Sequence, residues 1–108
     1  MTPAKPNFAQ GTLCLQLSGA NKYLTLPAGG ERLELNYDGA SACAVRWAVK
    51  PDASNIPAAA LPVEGTPQGC VVLLPGHSKV YSRGKADQLA AIGPAGSVLY
   101  VTIISEGV

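Results

Sequence analysis

Charge is what this chain has least of. Only 14% of its 108 residues are Asp, Glu, Lys or Arg, where about 25% is usual for a globular domain. Eight Lys and Arg against seven Asp and Glu leave a formal net charge of +1. That is no basic surplus with which to neutralise phosphates, so nucleic-acid binding is excluded as the main task. Aromatic residues make up 6%, which is thin for a sugar-binding platform. The three cysteines, Cys14, Cys43 and Cys70, form no CxxC pair, so neither a zinc site nor a disulfide framework is signalled. Each sits in an apolar stretch and reads as a buried free thiol of a protein made in a reducing cytosol. No apolar run approaches the ~18 residues of a membrane-spanning helix. Residues 1–8 do not carry the charged-then-apolar order of a secretory signal.

Chemistry-bearing constellations are also missing. His77 is the only histidine, and its neighbour Ser78 projects to the opposite face if the segment is extended, so a nucleophile–base pair is not built there. The acidic residues Glu31, Glu34, Asp38, Asp52, Glu64, Asp87 and Glu106 are scattered. They form neither a glycosidase pair nor a two-metal or calcium site. No glycine-rich phosphate cradle is present. The segment from Ser82 to Asp87 mixes three charges and reads as a solvated loop. The sequence therefore predicts no enzyme, no cofactor and no metal.

Glycine and proline are plentiful, at 12 and 9, and they leave little room for helices. Between them the apolar residues alternate. Leu13, Leu15 and Leu17 form one series. Leu33, Leu35 and Tyr37 form a second, and Cys43, Val45, Trp47 and Val49 a third. A period of two is what a half-buried strand requires. Residues 22–26, 70–74, 78–82, 89–93 and 98–104 also read as strands, although 86–91 could instead be one helical turn. Residues 98–104 are apolar on both faces apart from Thr102, which predicts a central strand or one covered by another chain. Turn signals at Pro27–Gly30, Asp38-Gly39, Pro75-Gly76 and Gly93–Gly96 separate these runs. The expected fold is all-β, a two-sheet β-sandwich or jelly roll of about eight short strands.

Two segments break the alternation. Residues 1–11 read as an extended N-terminal arm, stiffened by Pro3 and Pro6 and anchored by Phe8. Residues 12–108 read as one sandwich domain with a long loop at 51–69. A structureless loop of this length is uncommon in a compact domain unless functional or disordered. Its apolar members Ile56, Leu61 and Val63, next to Pro57 and Pro62, argue against disorder. With Pro3, Pro6 and Phe8 they are the candidate interface residues.

The C-terminal half carries a series of motifs in a fixed order. Val45-Arg46-Trp47-Ala48 is followed by Leu74-Pro75-Gly76, Val80-Tyr81-Ser82 and Leu89-Ala90-Ala91-Ile92. Leu99-Tyr100-Val101-Thr102 and Glu106-Gly107 close it. Over residues 43–108 this order resembles a group of small proteins encoded in tailed-bacteriophage genomes. Ala48 stands where that group often has glycine, and Ile103-Ile104-Ser105 where it often has Pro-Gly. The resemblance implies a virion component, localised to the particle after synthesis in the bacterial cytoplasm. It implies a capsid decoration or cement protein that binds the major capsid protein or another virion protein. Such proteins are homo-oligomers, often trimers, with no nucleic acid or membrane partner. A tail, baseplate or fibre-associated protein is the alternative within that class, and a carbohydrate-binding host-attachment module the alternative outside it.

Overall fold

The computed structural model describes residues 4–6, 12–27, 29–51, 54–62, 64–65 and 69–106. Among them are nine strands and no helix: β1 (Ala4–Pro6), β2 (Thr12–Gln16), β3 (Lys22–Thr25), β4 (Arg32–Asp38), β5 (Cys43–Ala48), β6 (Val71–Leu73), β7 (Ser78–Ser82), β8 (Gln88–Ile92) and β9 (Val98–Glu106). The eight strands read from the alternation are present. Residues 86–91 do not form a helical turn, since Gln88–Ile92 pairs on both sides, with β3 and with β5. Part of the expected arm is itself a strand, with Ala4 opposite Glu106 and Pro6 opposite Ile104.

All pairings are antiparallel, and they are nested. Thr12 faces Thr102, Lys22 faces Ala91, Arg32 faces Ser82 and Cys43 faces Leu73. Each step forward along the first half of the chain meets a nearly equal step back along the second. The molecule is thus one long hairpin ribbon, bent over so that successive rungs fall in alternate sheets. Strands β4–β9 and β5–β8 then pair and close the layers. One sheet runs β2-β9-β4-β7, with β1 end to end with β2 on the same edge of β9, and the other runs β3-β8-β5-β6. This order is a jelly roll. It decides between the two topologies that alternation alone leaves open.

The core lies between the sheets. Leu33, Leu35, Leu99, Val101 and Ile103 from one sheet meet Cys43, Val45, Leu73, Leu89 and Ala91 from the other, all fully buried. Each buried aliphatic side chain of this size contributes about 1.5–3 kcal/mol. Strand β9 is central, as its apolar pattern predicts, lying between β4 and the β1/β2 edge. At one end of the sandwich the β2–β3 and β8–β9 loops are tied by Leu17 N to Ser97 O (2.9 Å) and Gly19 N to Gly93 O (2.9 Å). Gly96 takes φ of 88° there, a conformation open to glycine at no steric cost.

The second sheet is covered on both faces. The segment that follows β5 doubles back across its outer surface. Ile56 and Ala59 are 2% exposed and pack with Ala44 and Ala90, whose side chains point away from the central core. Tyr23, Ala48, Cys70 and Ile92 complete this smaller cluster. The alanines at outward positions of β5 and β8, Ala44, Ala48 and Ala90, make room for the strap, because a larger side chain at Ala44 or Ala90 would hold it off.

Candidate functional site

The strap carries four of the candidate interface residues, Ile56, Pro57, Leu61 and Pro62, and two side-chain amides fix it. Asn21 donates from Nδ2 to Ala59 O and accepts at Oδ1 from Ala59 N, each at 2.8 Å. Gln88, 4% exposed, accepts at Oε1 from Ile56 N and donates from Nε2 to Asn55 Oδ1, each at 2.8 Å. A primary amide carries both a donor and an acceptor, so each satisfies a backbone or side-chain partner in both senses. Sequence reasoning missed both residues. The available signal was the apolar residues at outward positions of β5 and β8, Ala44 opposite Ile92 with Ala90 two positions along, which mark a sheet face that something must cover.

This geometry divides the candidate residues. Ile56 is corrected: it is an anchor in the chain's own second cluster and is not offered to a partner, because burial under the strap satisfies it. Pro57, Leu61 and Pro62 are exposed on the outer side of the strap. Leu61 is 43% exposed and borders an open cleft of ≈ 270 Å³ with Ile92, Pro94, Ala42 and Gly19. Pro6 is placed as a backbone position opposite Ile104. Pro3, Phe8 and Val63 lie outside the described residues.

Comparison with family models, curated proteins and solved structures finds no match to this chain. Its functional reading therefore rests on its own residues.

The opposite end of the sandwich is organised by Arg83, which corrects the reading of residues 82–87 as solvated. Arg83 is 6% exposed. Its Nε donates to Ala86 O at 2.9 Å and its Nη1 to Gly29 O at 2.5 Å. One planar fork thus ties the β7–β8 loop to the β3–β4 loop. Burial lowers the Arg83 pKa and nearby Asp87 opposes that shift. Asp87 Oδ1 also accepts from Lys50 N at 2.6 Å. An open cleft of ≈ 320 Å³ lies beside this knot, lined by Arg83, Lys85 and Asp87.

The remaining singled-out residues have structural partners. Trp47 packs against Tyr81 with ring centroids 5.3 Å apart and the rings tilted by 51°, and its Nε1 donates to Ser82 O at 3.2 Å. His77 lies in the β6–β7 turn, where its Nδ1 accepts from Leu74 N at 3.3 Å. Among the described residues no three His, Cys, Asp or Glu side chains gather as metal ligands, and no helix is long and apolar enough to cross a membrane. The thiol reading is corrected in part. Cys43 is buried, Cys70 half-buried and Cys14 exposed, because Cys14 occupies an outward position of β2 in a sheet face that no described segment covers.

Proposed function

We propose that this chain is a non-enzymatic structural protein of a tailed-phage virion, a decoration protein that binds the major capsid protein and stabilises the head shell. The observation that carries the reading is the strap's exposed crest. Pro57, Leu61 and Pro62 are each exposed on a segment whose other side is fixed by Asn21, Gln88 and the buried Ile56. A partner meeting this crest loses little conformational freedom of the strap, so more of the contact energy remains as affinity. Low overall charge suits a protein that spends its working life against another surface. The motif series of the second half supports the same reading, since it falls on β5 to β9 of a jelly roll. Viral capsid proteins use that architecture, although lectins share it. Repetition over a symmetric shell lets modest contacts sum to avidity.

The test is the copy number of the protein in purified particles of the phage that encodes it, by quantitative mass spectrometry against the major capsid protein. Hundreds of copies, in a simple ratio to the capsid protein, support head decoration. A handful to a few dozen moves the protein to the tail or neck. Absence from particles overturns the virion reading. Leu61→Asp, exposed and so harmless to folding, is expected to abolish binding to undecorated heads.

A further inference from the structure

We infer that β2 is a self-pairing edge through which two copies of this chain join across a two-fold axis, extending the β2-β9-β4-β7 sheet into one continuous sheet. The inference stands on the fold and is independent of the virion reading.

Sheet edges offer unpaired backbone groups, and proteins usually guard them with charge, brevity or cover. Three of the four edges here are guarded. Strand β6 has three residues. Strand β3 has four and carries Lys22. Strand β7 carries Lys79, and its Ser82 carbonyl is already taken by Trp47. Strand β2 has five residues, Thr-Leu-Cys-Leu-Gln, with neither charge nor proline. Among the described residues its only strand partner is β9.

The direction of its free groups follows from its last rung. Leu17 N donates to Ser97 O and Leu17 O accepts from Gly96 N, so Leu17 turns both backbone groups towards β9. Alternate residues of a strand do the same, so Leu13 and Leu15 also face β9, while Thr12, Cys14 and Gln16 turn theirs to the open edge. An independent contact agrees. The Thr12 and Thr102 hydroxyls lie 2.9 Å apart, the close side-chain approach of a non-hydrogen-bonded pair.

The strand is also symmetric about its centre, polar–Leu–Cys–Leu–polar. Two copies paired antiparallel about Cys14 bring Cys14 opposite Cys14, Thr12 opposite Gln16 and Leu13 opposite Leu15. The first two kinds of pair join residues whose N–H and C=O face the edge, so each exchanges two hydrogen bonds. The leucines meet on the core side, where Leu13 is only partly buried in the single chain. The second copy completes that cover. A strand of unlike sequence could use the same backbone groups but would not match both leucines and both polar ends.

The geometry sets its own probe. Hydrogen-bonded partners across an antiparallel pair have Cα atoms about 5.5 Å apart, inside the range a disulfide spans. In a Cys70→Ser background, Cys14 is the accessible thiol. Added diamide would take up the two electrons and two protons released as the two Cys14 sulfurs bond. The expected result is a concentration-dependent monomer–dimer equilibrium by sedimentation, with diamide converting the dimer to a covalent form that reductant reverses. Cys14→Lys sets two ammonium groups face to face, and Cys14→Pro deletes the central donor. Each variant is expected to weaken the dimer about tenfold or more. Proline is tolerated at an edge where its N–H faces outward, and Cys14→Lys is the control should that variant fail to fold. A chain that stays monomeric at all concentrations overturns the inference. So does an oligomer of any size that is indifferent to Cys14→Lys and forms no Cys14 cross-link.

Discussion

Replacing Ile56 by alanine separates a strap that covers the sheet from a loop held out for a partner. Ile56 is 2% exposed, against Ala44, Ala59 and Ala90. The substitution removes three carbons from that cluster. At about 0.8 kcal/mol per buried carbon, the transfer loss is roughly 2.5 kcal/mol. The cavity left behind adds to this, although a strap can settle further than a strand, which places the total near the lower half of the ~2–5 kcal/mol seen for such truncations. A domain of this size has about 5–15 kcal/mol of stability altogether, so the loss is a large fraction. The assay is urea unfolding followed by the single tryptophan, Trp47, whose contact with Tyr81 reports on the sandwich edge. With a slope of about 1–3 kcal/mol/M, the midpoint should fall by about 1 M or more. A loop held free for a partner would give the opposite pattern, with the midpoint unmoved. A loss under about 0.5 kcal/mol, the size of an ordinary surface change, would refute the placement of Ile56 under the strap.

Other substitutions test other joints. Arg83→Lys keeps the charge but cannot hold Gly29 O and Ala86 O with one planar fork, and is expected to lower stability by about 1–3 kcal/mol in the same titration. Gly39→Ala places a methyl inside contact distance of Tyr37 Oη and 2.6 Å from Ser97 Cβ. It should displace the Tyr37 hydroxyl from Ser41 O, which it reaches at 2.6 Å, and cost about 1–3 kcal/mol. Burial pushes the Cys43 thiol up from 9.0 to about 11, against a lowering effect of backbone hydrogen bonds at Leu73 and Cys43 itself. Between those values the folded chain keeps a proton that the unfolded chain has lost. Stability should then fall as pH rises from 9.0 towards 11, by about 1.4 kcal/mol per unit at most, and the slope should shrink in Cys43→Ala. Below that window Cys14 should react with an alkylating reagent in the native protein and Cys43 should not.

The strands were legible because the sequence signals them locally. Leu33, Leu35 and Tyr37 alternate with polar neighbours and are buried on one face, and the Gly and Pro turns fall between the runs. The β9 pattern left a central strand or one covered by another chain, and the pairing places it centrally. The strap was not legible, because nothing within residues 51–69 says where it lies. Its position is set by Asn21 and Gln88, distant in sequence, and by alanines on β5 and β8 that look unremarkable one at a time. Arg83 misled for a related reason. A charged residue beside Gly84 and Lys85 looks solvated until the β3–β4 loop, more than fifty positions earlier, supplies Gly29 O as its acceptor. The break in alternation after β5 was legible as a segment, but which of its apolar residues is buried was not, since Ile56 is buried and Leu61 exposed.

The nested pairing also dictates an order of assembly. Closing a loop costs entropy that grows with its length, and β5 with β6 closes the shortest one. Once that rung holds, the chains leading to β4 and β7 already lie side by side, and each further pair closes against a neighbour already in place. The outer rungs, β2 and then β1 with β9, span most of the chain and are affordable only last. Truncating Leu73 should therefore slow folding, while truncating Leu15 should chiefly speed unfolding, a contrast that stopped-flow rates can read directly. Equal effects on the folding rate would show that the ribbon closes by some other order.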